Sequence, residues 1–268
     1  MRYLLATPIN IIFIMKRLSV LLLLAGITAT AQVKKGKVVW EENFDGKALN
    51  EAVWNYELGN GCPDNCGFGN AEKQIYTKTN HKVANGFLTI TTKKEADTYT
   101  STRITTKGKK EFKYGYIEAR LKLPVGKGIW PAFWMLGADI DKTGWPLAGE
   151  IDIMEYVGRE PHMAYATLHT KETHGEHANG KKTEFNNLEE GFHVFGVDWT
   201  KDKITFYVDD KPVHSFAPKE KTQEIWPFDK PYFFLLNVAV GGYFGGMEVD
   251  DSIFPQEYVV DYIKVYSN

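Results

Sequence analysis

An all-β sandwich is the fold this sequence predicts, and three observations carry it. Apolar residues recur with a period of two, such runs follow one another across short turns, and no long segment has a 3.6-residue period. The 268 residues are 43% hydrophobic, enough to bury a sizeable core, which excludes disorder. No linker or internal repeat interrupts the pattern, so a single domain is expected over residues 32–268.

In chain order, the first β-rich run is Val38-Val39-Trp40, followed by 87–92 and 116–123. Within 116–123, Ile117, Ala119, Leu121 and Leu123 take one side and Tyr116, Glu118, Arg120 and Lys122 the other, the pattern of a half-buried strand. A further run covers 165–169. The runs 193–199 and 204–208 flank the turn Thr200-Lys201-Asp202-Lys203, and Asp209-Asp210-Lys211-Pro212 marks the next turn. Runs at 232–240 and 258–266 complete the set. In the last one Asp261 has the parity of Val259, Ile263 and Val265, and a carboxylate in an apolar row needs either an Arg or Lys partner or a metal.

The first 31 residues stand apart from the domain. Met15-Lys16-Arg17, the apolar stretch 18–25 and Ala29-Thr30-Ala31 have the order of a secretory signal, with Met15 a better start than Met1. Export to an extracellular or periplasmic space is expected; the alternative is an N-terminal membrane anchor made by the joined apolar run. Position 27 is Ile, so no Cys follows Leu24-Ala25-Gly26 to accept a lipid. In an exported chain the two cysteines, Cys62 and Cys66 in GNGCPDNCGFGN, are expected to form a local disulfide. No second Cys pair is present to complete a structural zinc site. A formal net charge of −2 gives no field for nucleic acid or an anionic membrane surface, and a monomer is expected.

The chemistry-bearing segment is GEIDIMEY, residues 149–156. In a regular strand Glu150 and Asp152 share a face and Glu155 points to the other. A β-bulge at Ile153-Met154 returns all three acids to one face. Crowded carboxylates in apolar surroundings hold a proton to higher pH, which a general acid for glycosidic cleavage needs, while a second carboxylate attacks the anomeric carbon. A solvated acidic stripe is the bland alternative, and the intervening apolar residues with Trp145 and Tyr156 alongside oppose it. His162, His169, His174 and His177 offer a catalytic-zinc alternative, but HGEH at 174–177 lacks the HExxH spacing.

GEIDIMEY, with WPAFWM at 130–135, GFGNAEKQIYT at 67–77, STRITTKG at 101–108, FKYGYIEARLKLP at 112–124, FFLLNVAVGG at 233–242 and VDYIKVY at 260–266, resembles glycoside hydrolase family 16. Met154, inserted before Glu155, makes the motif similar to the bulged form of the family's laminarinases. The resemblance implies a β-jelly-roll sandwich of two antiparallel sheets with a concave substrate cleft. It implies Glu150 as nucleophile, Glu155 as general acid/base and Asp152 between them, in a retaining double displacement with no catalytic cofactor. It further implies sugar contacts from Trp130, Trp134, Trp145, Asn70, Arg103, Asn237 and His169, and a structural calcium at Asp261 with backbone oxygens near Glu42 and Gly86. Core packing of the tryptophans, Trp134 above all, and a backbone hydrogen bond for Asn237 stay open. The implied substrate is β-1,3-glucan of the laminarin type; mixed-linkage glucan, another family polysaccharide, or a non-catalytic glucan-binding module are the alternatives. The intact acidic triad favours an enzyme, because clustered charge gives a binder of neutral sugar no affinity.

Overall fold

The computed structural model describes residue 33 and residues 35–268; the expected signal at residues 1–31 lies outside the described residues. The strands in chain order begin with β1 (Val38–Glu42), β2 (Asn55–Glu57), β3 (Gln74–Tyr76), β4 (His81–Ala84), β5 (Phe87–Glu95) and β6 (Thr98–Ser101). Next come β7 (Arg103–Thr105), β8 (Glu111–Phe112), β9 (Gly115–Lys122), β10 (Ile129–Gly137), β11 (Glu150–Tyr156) and β12 (Met163–His169). The last are β13 (Asn179–Glu184), β14 (His193–Trp199), β15 (Ile204–Val208), β16 (Lys211–Phe216), β17 (Tyr232–Val240) and β18 (Gln256–Tyr266). Two four-residue helices, Ile140–Thr143 and Gly242–Gly245, are the only α-helices among the described residues, and no helix there is long and apolar enough to cross a membrane.

These strands form the jelly-roll sandwich. A 10-stranded sheet runs β16-β15-β14-β9-β18-β5-β6-β3, with β1 beside β18 and β4 beside β5; an 8-stranded sheet runs β13-β12-β11-β10-β17-β7-β2, with β8 beside β17. Pairing is antiparallel except between β3 and β6. Every residue of β17 is buried, and alternation divides its faces. Tyr232, Phe234, Leu236, Val238 and Val240 enter the inter-sheet core, which leaves Phe233, Leu235, Asn237 and Ala239 for the opposite, cleft-side face. On β10, Ile129, Phe133 and Met135 likewise point to the core, and Trp130, Ala132, Trp134 and Leu136 to the cleft side.

Two expectations need correction. Tyr116 and Glu118, in the outward row of β9, are each only 2% exposed. Residues far along the chain cover them: Tyr266 Oη donates to Glu118 Oε1 at 2.9 Å, and Lys35 Nζ to Oε2 at 2.5 Å. Asp261 does not share a row with Ile263 and Val265 either. The β18 register shifts between Val260 and Tyr262, so the core row is Tyr258 and Val260 before the bulge and Ile263 and Val265 after it. Asp261 is thereby partly exposed, and its Oδ2 accepts from Arg120 Nη1 at 2.6 Å.

Within the sandwich Phe234 meets Trp40, Phe112 and Phe133 at centroid distances of 5.9, 5.2 and 5.5 Å. Phe234→Ala opens a cavity that these rings cannot collapse into, and is expected to lower unfolding free energy by about 3–5 kcal/mol, read from the urea midpoint at unchanged m.

Candidate active site

The site begins with the register of β11. Against β10, Trp134 faces Asp152 and Phe133 faces Met154, leaving Ile153 without a partner; against β12, Asp152 faces Thr167 and Glu155 faces Tyr165. Core contacts follow the same shift, from Ile151 and Ile153 to Met154 and Tyr156. The extra residue thus gives Glu150, Asp152 and Glu155 one face, the floor of the cleft, as the Ile153-Met154 bulge requires. Gly149, just upstream, has φ 77°, and a Cβ there would lie 2.2 Å from Tyr232 Oη, so only glycine lets β11 start at this height.

Each carboxylate has a distinct setting. Glu150 Oε2 accepts from Trp145 Nε1 at 2.7 Å, and Glu155 Oε1 from Trp130 Nε1 at 3.0 Å. Glu155 is 8% exposed and Asp152 3%. Burial, reinforced by the Glu150 charge and a hydrogen bond with Glu150, pushes the Asp152 carboxyl well above its usual range. Burial also pushes the Glu155 carboxyl well up, the Asp152 charge adds to this, and His169 opposes it. Side-chain atoms of Glu150, Asp152 and His169 all lie within 4.8 Å of one another. His169 Nδ1 accepts from the Gly175 N–H at 3.2 Å, which puts the proton of a neutral ring on Nε2, 3.2 Å from Asp152 Oδ2. That approach lacks hydrogen-bond alignment, and Asp152 Oδ2 is buried without another partner.

The three cleft tryptophans differ. Trp145 is 49% exposed and lies against His169 and His174, with ring centroids 5.8 and 5.3 Å away. Trp130 and Trp134 are half-buried on β10, which answers the core-packing alternative, since neither belongs to the core cluster. Trp134 Nε1 donates to Asn237 Oδ1 at 2.8 Å, and Asn237 Nδ2 donates to Tyr76 Oη at 3.0 Å. Both polar ends of Asn237 are therefore used within the protein, by side chains and not by the backbone. Arg103, opposite Asn237 on β7, pairs through Nε with Glu57 Oε2 at 2.5 Å. Asn70 Nδ2 donates to Glu72 Oε1 at 3.1 Å, and Glu72 Oε2 accepts from Gln74 Nε2 at 2.6 Å.

Glu57, Glu72, Gln74, Tyr76 and Phe244, which packs edge-on against both Trp130 and Tyr165, were not among the residues expected from sequence. The signal for three of them was present: Glu72, Gln74 and Tyr76 have the i, i+2, i+4 parity of one strand face. His162 Nδ1 meets Glu189 Oε2 at 2.8 Å, His174 Nδ1 meets the Thr170 carbonyl at 3.1 Å, and His177 ends a 3-10 turn. Cys62 and Cys66 are joined in a disulfide. In the opposite sheet, Glu42 uses its carboxylate to accept from Phe44 N and Trp54 Nε1 at 3.0 and 3.1 Å, while Gly86 sits in the β4–β5 turn with φ 78°.

Residues 68–264 match the pattern of glycosyl hydrolases family 16. The beta-glucanase of Rhodothermus marinus is 38% identical over 249 residues, which cover 86% of this chain and 85% of that protein. Among solved structures, the laminarinase from Flavobacterium sp. UMI-01 superposes with a TM-score of 0.85 at 63% identity, covering 86% of this chain and 100% of that one. The laminarinase catalytic domain from Thermotoga maritima MSB8 gives 0.83 at 42% identity, covering 88% and 99%.

A carboxyl whose pKa is raised by folding stabilises the fold fully below its unfolded value, and that contribution is lost as pH rises through the folded value. Glu155→Gln keeps the Trp130 hydrogen bond and replaces a carboxyl that folding makes harder to ionise with a neutral group that does not titrate. Its melting temperature is expected to exceed wild type by several degrees near neutral pH and to converge with it below about pH 4; parallel scanning calorimetry across pH checks this.

Proposed function

The chain belongs to glycosyl hydrolases family 16, and from that premise we propose that it is an exported, endo-acting hydrolase of β-1,3-glucan that retains anomeric configuration. What carries the proposal is the bulged β11, which sets three carboxyls side by side on the cleft floor with the Glu155 proton held to high pH by burial. The substrate class draws on the glucan-cleaving relatives, and the open, aromatic-walled cleft suits an internal segment of a neutral chain.

In the proposed first step, Glu150 attacks the anomeric carbon while Glu155 gives its proton to the glycosidic oxygen, so the C–O bond breaks as the glycosyl-enzyme ester forms. Trp145 fixes the rotamer of Glu150 and Trp130 that of Glu155, so neither must reorganise during the reaction. Asp152, hydrogen-bonded to Glu150 and holding its own proton to higher pH, is proposed to draw charge from Glu150 as that carboxylate reforms on breakdown of the ester. In the second step water attacks the same carbon from the vacated side, Glu155 takes its proton, and Glu150 departs. Trp134, Arg103 and Asn70 form the wall that is proposed to grip the sugars on one flank of β11, and His169 with Trp145 the wall on the other.

We also propose a structural calcium at the corner where β1 ends beside β18. Arg120 takes Asp261 Oδ2, leaving Oδ1, and a Cβ on Gly86 would lie 3.8 Å from Asp45 Oδ1 and 3.9 Å from the Asn43 carbonyl, so hard oxygen donors crowd this corner. Asp261 with carbonyls near Glu42 and Gly86 would hold the ion, whose role is to tie the β4–β5 turn to β18.

Incubation with laminarin, lichenan, agarose and carrageenan in parallel is expected to release reducing ends fastest from laminarin, with the β-anomer formed first by proton NMR. Glu150→Gln is expected to lose at least about a thousandfold in kcat while still binding laminari-oligosaccharides; near wild-type turnover would remove Glu150 as nucleophile, and a preference for another polymer would remove the β-1,3 assignment. For the metal, EDTA is expected to lower the melting temperature and calcium, but not magnesium, to restore it; an unchanged melting temperature rejects the site.

A further inference from the structure

We propose that Phe68, held in place by the Cys62–Cys66 disulfide, is a positioning residue that sets the sugar-binding wall on the β7 side of the cleft. The Arg103 guanidinium lies between two aromatic rings, 4.8 Å from the Phe68 centroid and 4.9 Å from that of Trp134. Its side chain is only 11% exposed, and its Nε pairs with Glu57. Phe68 also packs on Tyr76 at 5.2 Å, and the Tyr76 hydroxyl accepts from Asn237, the residue that holds the Trp134 indole. One ring thus closes both routes to Trp134, the stacked route through Arg103 and the hydrogen-bonded route through Tyr76 and Asn237.

Phe68 does not lie on a strand. It occupies a short 3-10 segment, Cys66–Gly69, with a left-handed φ of 51° that a bulky side chain adopts at a cost. The backbone around it is drawn into a knot: Asn65 N donates to Gly61 O at 2.7 Å, Gly67 N to Asn60 O at 2.7 Å and Phe68 N to Asn65 O at 2.8 Å. Residues 62–66 are exposed, so these bonds compete with water, and the disulfide is the covalent link that keeps the knot closed. A ring closed over so few residues adds little to global stability. Its effect is local: with the link open, Phe68 leaves its strained backbone state, one face of Arg103 meets solvent, and the Trp134 ring loses its backing. The acids stand apart from this, because β11, Trp145 and Trp130 hold them.

The inference rests on the sugar-cleaving function proposed above, and kinetics on laminarin separate the two. Absence of wild-type hydrolysis strikes that function; the variants address only Phe68 and its staple. Phe68→Leu and the double variant Cys62→Ser/Cys66→Ser are each expected to raise KM about three- to tenfold, the range of one cation–π contact, with kcat within about twofold of wild type. Phe68→Tyr restores the stack and is expected to keep KM near wild type. Dithiothreitol treatment of the folded wild-type enzyme, followed by reoxidation, raises and then restores KM without dependence on how the variants fold. Unchanged KM in Phe68→Leu, or an equal loss in kcat, overturns the positioning role. Unchanged KM on reduction with a raised KM in Phe68→Leu overturns the part assigned to the disulfide.

Discussion

Two buried carboxyls beside a third carboxylate are costly in any fold, and the cleft floor is organised around that cost. Like charges this close are costly to ionise together where water is scarce, so Asp152 and Glu155 hold their protons to higher pH than exposed carboxyls do. Chemical usefulness and folding penalty arise from the same arrangement. The rest of the sheet supplies compensation: indole N–H groups on Glu150 and Glu155, a core of aromatic and branched residues beneath, and β17 buried on both faces beside the β10–β11 pair.

The device that permits this is one surplus residue. Without it β11 would give Glu155 to the core and Met154 to the cleft. A second surplus residue, at Asp261 in β18, does the converse service of turning a carboxylate out of the core toward Arg120. The two sheets thus use the same backbone irregularity for opposite ends.

These two bulges also mark how far the sequence could be read. At Ile153-Met154 the bulge was legible because three acids make sense together only on one face. At Asp261 nothing comparable forced it, and the alternation read literally put the residue in the wrong row. The long strands β5, β9, β14, β15, β17 and β18 were visible as alternating or apolar runs, whereas β2, β3, β7 and β8 have two or three residues, too few to display a period. Tyr116 and Glu118 looked solvent-facing because their covers, Lys35 and Tyr266, come from the two ends of the domain. The acids and the tryptophans beside them were readable as residue types. The network joining Glu72, Tyr76, Asn237 and Trp134 was not, since its members meet only after three strands and a loop assemble.

Each cleft tryptophan has its indole N–H tied to a carboxyl or amide oxygen before any ligand arrives. A ring anchored at its polar edge cannot spin about χ2 without breaking that bond, so its flat faces point in fixed directions. Immobilising a free side chain on association costs about 0.5–1.5 kcal/mol. Here the ordering has been completed during folding, so the three rings already present their faces in fixed directions and the cleft they line is a stiff template.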